Sequence, residues 1–179
     1  MTYRIDLFAL FIFLGIVQAA FLSFFFFSKE NRQKSFNVFH GLLLLSIALC
    51  LLEIFLMYTG YIVQVLHLVD FSEPFALLIG PFFYFFVLAL ARGQIARKQL
   101  WIHISFPAIY TVTLIPFIIS PVDCKYNAYV NAYHPDWPFR QVEPLFDPRL
   151  FTVTEWHTEL VLVSLGIYII LSGIEIIKI

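Results

Sequence analysis

The chain has 179 residues, of which 61% are hydrophobic and 13% charged, against about 25% charged in an average soluble domain. A net charge of −1 offers no general attraction to nucleic acid, and 22 phenylalanines are more than a soluble globule of this size can hide. These figures exclude a soluble domain and call for lipid over part of the surface.

The first apolar run covers residues 5–27. Gln18-Ala19-Ala20 imitates a signal cleavage site, but the run continues to Phe27, about twice the length of a signal core, so it reads as a retained span. A basic loop, Ser28 to Ser35, leads into span two at 36–59, which contains Glu53 and ends at Thr59-Gly60. The partly apolar connection 61–72 is expected along the membrane interface. Span three, 74–91, has no charge between Pro74 and Ala91, and its eighteen residues reach roughly 27 Å as helix, close to a bilayer's hydrocarbon thickness. Gly80-Pro81 predicts a break there, because proline leaves the Leu77 carbonyl without its amide partner.

A second basic loop, Arg92 to Lys98, precedes span four at 100–120, which is interrupted by Pro107 and Pro116. Residues 121–149 read as a long outer loop dense in aromatics, Pro, Asn and Asp, functional or folded on the bundle. Span five runs over 153–178 with no stop signal. Lys29, Arg32, Lys34, Arg92, Arg97, Lys98 and Lys178 gather on one side, whereas Arg4, Lys125, Arg140 and Arg149 are on the other. The positive-inside rule then gives an all-α, polytopic five-span bundle with its N-terminus outside and C-terminus in the cytoplasm. No internal repeat is evident. Cys50 and Cys124 lack metal or redox spacing and are expected to be unbridged.

Glu53 is the sharpest single residue, since a carboxylate in a span must face the bundle or be neutral. It lies at a depth similar to that of Gly80-Pro81, where the freed Leu77 carbonyl could accept its proton. Glu53, Gly80, Pro81 and Tyr84 together form a candidate hinge and signal site, and the plainer alternative is one hydrogen bond between helices. Glu155 and Glu159 share a face at i, i+4, with His157 pointing elsewhere. Two carboxylates also suit a helix N-terminus, which explains them without any site. With Trp137 and Arg140 of the long loop, these residues make a candidate outer ligand region for a small amphipathic molecule. No metal set, cofactor motif or enzyme signature is present, so no catalytic residue is assigned.

Several pieces together resemble one family: Leu14-Gly15-Ile16-Val17-Gln18, Asn37, Glu53 with Gly60, Gly80-Pro81-Phe82-Phe83-Tyr84 with Val87, and His103-Ile104-Ser105-Phe106-Pro107. They are similar to the membrane-embedded input region of AraC-type helix-turn-helix transcriptional regulators of Bacteroidota. The resemblance covers nearly the whole chain. It implies a bundle of about seven spans followed by a cytoplasmic DNA-binding domain, so two spans and the output domain are expected beyond residue 179. DNA would be contacted only through that absent domain. The expected place is the bacterial inner membrane, with the lipid bilayer, a small ligand and a second copy as candidate partners. A small transporter or half-transporter, or the membrane sensor of a histidine kinase, are the alternatives.

Overall fold

The computed structural model describes residues 3–143, 145–146 and 152–178. Among these the regular elements are all helical: α1 (Leu7–Phe27), α2 (Ser35–Thr59), α3 (Glu73–Arg92), α4 (Arg97–Ile119), α5 (Val122–Tyr133), the single turn α6 (Thr152–Glu155) and α7 (His157–Ile177). Five candidate spans are long and apolar enough to cross a membrane: the helices α1, α2, α4 and α7, and a third that runs Leu66–Arg92 and so includes α3 with the turn before it. Helices are the open-chain answer to a solvent that cannot bond the backbone, because each satisfies its own amides and carbonyls.

Helix α3 is the centre. It packs on α2, α7 and α4, while α1 lies on the far side of α2. The packing is inverted relative to a soluble protein. On α1 the buried residues are Ala9, Ile12, Ala19 and Ser23, whereas Phe8, Phe11, Phe21 and Phe24 are exposed. Small residues bring backbones together where lipid supplies no hydrophobic drive between helices. Ser23 accordingly donates its hydroxyl to the Gly41 carbonyl on α2 at 2.9 Å. Helix α2 stops at Gly60, whose φ of +76° is the left-handed cap that glycine adopts without steric penalty.

The predicted break at Gly80-Pro81 is absent: α3 runs without interruption from Glu73 to Arg92 with Pro81 inside it. Leu77, Gly80 and Pro81 are all buried among neighbouring helices, and that support holds the helix together through the missing amide. Glycine at 80 has a packing reason. A Cβ there would lie 2.7 Å from Cδ2 of Tyr168 on α7. Pro107 and Pro116 likewise lie within α4.

The connection 61–72 forms a second small core. Two 3₁₀ turns, Tyr61–Gln64 and Leu66–Leu68, bury Ile62, Leu66 and Val69 against Tyr126, Tyr129 and Val130. Those last residues belong to α5, so the predicted loop 121–149 contains a twelve-residue helix. Residue 144 and residues 147–149 of that loop lie outside the described residues. Cys50 and Cys124 are free thiols. The molecule therefore has an α5 end, carrying Asp6, Thr59 and Glu73, and a basic end, carrying Arg32, Arg92 and Arg97.

Candidate functional site

The polar residues of the interior converge at the α5 end. Glu53 on α2 is 8% exposed, and both its carboxylate oxygens accept backbone amides. Oε1 takes the Asp70 N–H at 2.7 Å and Oε2 the Ser72 N–H at 2.9 Å. The expected bond to the Leu77 carbonyl is thus replaced by a clamp on the turn that enters α3. That turn needs one. Asp70 has φ +60°, uncommon for a residue with a side chain, and Ser72 makes no side-chain cap of its own.

One residue on, Glu73 joins three helices. Tyr110 of α4 donates its hydroxyl to Oε2 of Glu73 at 2.5 Å. His157 of α7 has Nε2 3.2 Å from the Glu73 carbonyl oxygen and Nδ1 4.0 Å from Oε1. On the buried face of α5, Lys125 is 4% exposed and donates from Nζ to the Ile118 carbonyl at 2.7 Å. Burial pushes the Lys125 ammonium below its ordinary pKa, and the charge of Asp70 pulls it partly back.

From Glu73 a seam runs down α3 and α7, which lie parallel. Pairs along it keep a nearly constant separation in sequence: Glu73 with His157 is 84 residues apart, and Arg92 with Glu175 is 83. Between them Gly80 meets Ser164 and Tyr168. Tyr84 lies in an aromatic group with Tyr168 (ring centroids 6.0 Å) and His103 (5.1 Å). The Tyr168 hydroxyl is 3.1 Å from Nδ1 of His103. At the basic end Arg92 forms an ion pair with Glu175, whose other oxygen takes Lys178 at 3.0 Å.

The four residues of the candidate hinge are therefore divided between two places. Glu53 sits at the α5 end, whereas Gly80, Pro81 and Tyr84 lie along the seam. The candidate outer region divides as well. His157 joins the Glu73 group. Arg140 lies over the Tyr126 ring at 3.9 Å and pairs with Asp123 at 2.7 Å. Glu155 and Glu159 are exposed. Trp137 stacks on His134 at 4.0 Å between centroids and lines a cleft of about 660 Å³. Arg4, Tyr58, Tyr129, Tyr133 and His134 line the same cleft. Beside it Asp6 accepts the Tyr58 hydroxyl at 2.6 Å and the Ala9 amide at 3.0 Å, and these bonds push its carboxyl down to about 2. Among the described residues no group of three or more His, Cys, Asp or Glu is placed to hold a metal ion.

Residues not singled out from the sequence carry much of this site: Asp70, Glu73, Tyr110, Lys125, Tyr168 and Glu175. Glu175 was open to discovery by the rule that marks Glu53, because it too interrupts an apolar run. Tyr110 carries no such mark, since a tyrosine in a span fits packing equally well.

An all-helical bundle, among the described residues, with five candidate spans and an apolar exterior is a multi-pass membrane protein. Comparison with protein-family models, curated proteins and solved structures finds no match, so any finer class rests on these residues.

Proposed function

We propose that the chain is the membrane sensory input module of a one-component transcriptional regulator. An outer or intramembrane stimulus acts at the α5 end, and α7 carries the change to a cytoplasmic DNA-binding domain outside the present residues. The regulator class and the bacterial inner membrane come from the motif resemblance, and the N-out orientation comes from the distribution of basic loops. The observation that supports a signalling role is the parallel α3–α7 seam, which joins the Glu73 group at one end to the Arg92–Glu175 pair at the other. A displacement of Glu73 acts on α4 and α7 together, and a parallel partner transmits it along its axis. The transporter alternative needs broken spans and a path lined by Gln18, Glu53 and Tyr84, and of these spans α3 is unbroken.

The test joins residue 179 to a helix-turn-helix output domain and reads promoter activity in cells. Glu73→Gln and Gly80→Ala are expected to shift basal output by roughly 2- to 30-fold, the range for substitutions that alter coupling by about 0.5–2 kcal/mol. Ile170→Leu, on the exposed face of α7, is expected to leave it unchanged. Equal output from all three, at equal membrane levels, overturns the proposal.

A further inference from the structure

We infer that the cleft between α5, the segment before α1 and the C-terminal end of α2 binds a small planar aromatic carboxylate. Its volume of about 660 Å³ falls within the usual range for small-molecule sites, roughly 300–1,000 Å³. Aromatic residues dominate the walls. Tyr58 comes from α2, Tyr129 and Tyr133 from α5, and Trp137 from the segment after it. Such walls offer flat apolar contact together with hydroxyl and indole donors, which suits a ring that carries polar substituents.

Charge selects the sign of the ligand. Among the described lining residues Arg4 is the only Lys, Arg, Asp or Glu, so an ammonium ligand meets repulsion and a carboxylate meets a guanidinium. Arg4 is also held in place. Its Nε donates to Asp6 at 2.9 Å, and its guanidinium carbon lies 4.5 Å above the Tyr58 ring. With 66% of the side chain exposed, the Nη groups remain reachable for the paired bonds that a carboxylate accepts. Asp6 opposes an incoming anion, but its own oxygens already accept Tyr58, Ala9 and Arg4, which satisfies much of its charge.

The cleft also has a route to the interior. Tyr129 packs in the same core as Ile62, Leu66 and Val69, and that turn ends at the amides held by Glu53. The consequence for signalling rests on the function proposed above, whereas binding itself does not. The two can therefore fail separately.

The experiment uses the protein in lipid nanodiscs with Trp101→Phe and Trp156→Phe, which leaves Trp137 as the single tryptophan. Its emission is followed while 4-hydroxyphenylacetate, tyramine or decanoate is added. These probes present a ring with a carboxylate, the same ring with an ammonium, and a carboxylate on an aliphatic chain from a membrane-like source. A saturable change with 4-hydroxyphenylacetate is expected, with tyramine and decanoate weaker by about tenfold or more, as loss of a charge-assisted bond or of ring stacking implies. Arg4→Gln is expected to weaken 4-hydroxyphenylacetate by a similar factor. Tyr133→Ala, which keeps every charge, is expected to weaken it several-fold and serves if Arg4→Gln disturbs insertion. No saturable response, an equal response to tyramine, or no effect of either variant overturns the inference. Equal or tighter decanoate binding overturns the aromatic class and assigns the cleft to a fatty acid.

Discussion

The two ends of the bundle solve the same problem, that of holding charge beside lipid, in opposite ways. At the α5 end, Glu53 is buried and Glu73 half-buried, and they are bonded to amides, a tyrosine hydroxyl and a histidine drawn from three elements. At the basic end, Arg92 is half exposed and its one buried partner, Glu175, is shared with Lys178. A buried carboxylate whose partner is removed leaves polar groups that water cannot reach. An exposed pair loses little, because solvent replaces the partner. The α5 end should therefore carry stability and coupling, while the basic end sets placement in the membrane.

The strongest way to break this comparison is Glu53→Ala. It orphans the Asp70 and Ser72 amides, each at a cost of about 1–3 kcal/mol, and denaturant unfolding in mixed micelles should show a loss of several kcal/mol. A loss below about 1 kcal/mol would mean that the clamp is not what holds the turn. Next comes Gly80→Ala, which forces Tyr168 to move and should cost about 1–3 kcal/mol as overpacking. Gly166→Ala on α7 meets nothing within 4 Å and should be neutral or stabilising by up to about 1 kcal/mol. The same unfolding measurement compares the two, and equal effects would deny that the seam is closely packed.

Arg92→Gln sharpens the contrast from the other end, with an expected loss of about 0.2–1 kcal/mol for a half-exposed pair. The smallest effect concerns Asp6. Its carboxyl is depressed to about 2, so its contribution is complete above the unfolded value of about 3.9 and disappears as pH falls toward 2. Between those limits the acid limb of the unfolding profile should be steeper in the wild type than in Asp6→Asn. Identical limbs would show that the Tyr58 and Ala9 bonds do not persist in solution.

The spans were legible because about 20 apolar residues have few other uses. The predicted 36–59 and 74–91 compare with Ser35–Thr59 and Glu73–Arg92 in the structure. Helix α5 was not legible. Its inward residues are tyrosines, a valine and Lys125 among Asn and Asp, a composition shared with loops. Pro81 misled for a related reason: a local rule predicts a break, but burial among neighbouring helices overrides it. Glu53 could be read as a buried carboxylate, but its partners could not. They are backbone amides of a turn whose shape depends on the left-handed conformation of Asp70, and no side-chain pattern reports that. The Glu73–Tyr110–His157 group joins positions 37 and 84 residues apart, distances over which periodicity carries no information.

The central claim is that the α5 end and the basic end move together through α3 and α7. Spin labels at Phe24 on α1 and Ile176 on α7, both exposed, report the position of α7 at the basic end in a background with Cys50 and Cys124 replaced by serine. Double electron–electron resonance distances in nanodiscs are then compared for the wild type and Glu73→Ala. The account predicts a shift in the distance distribution of about 1–2 Å, the scale of helix displacements in switching proteins. An unchanged distribution, with the variant folded and inserted, would contradict it.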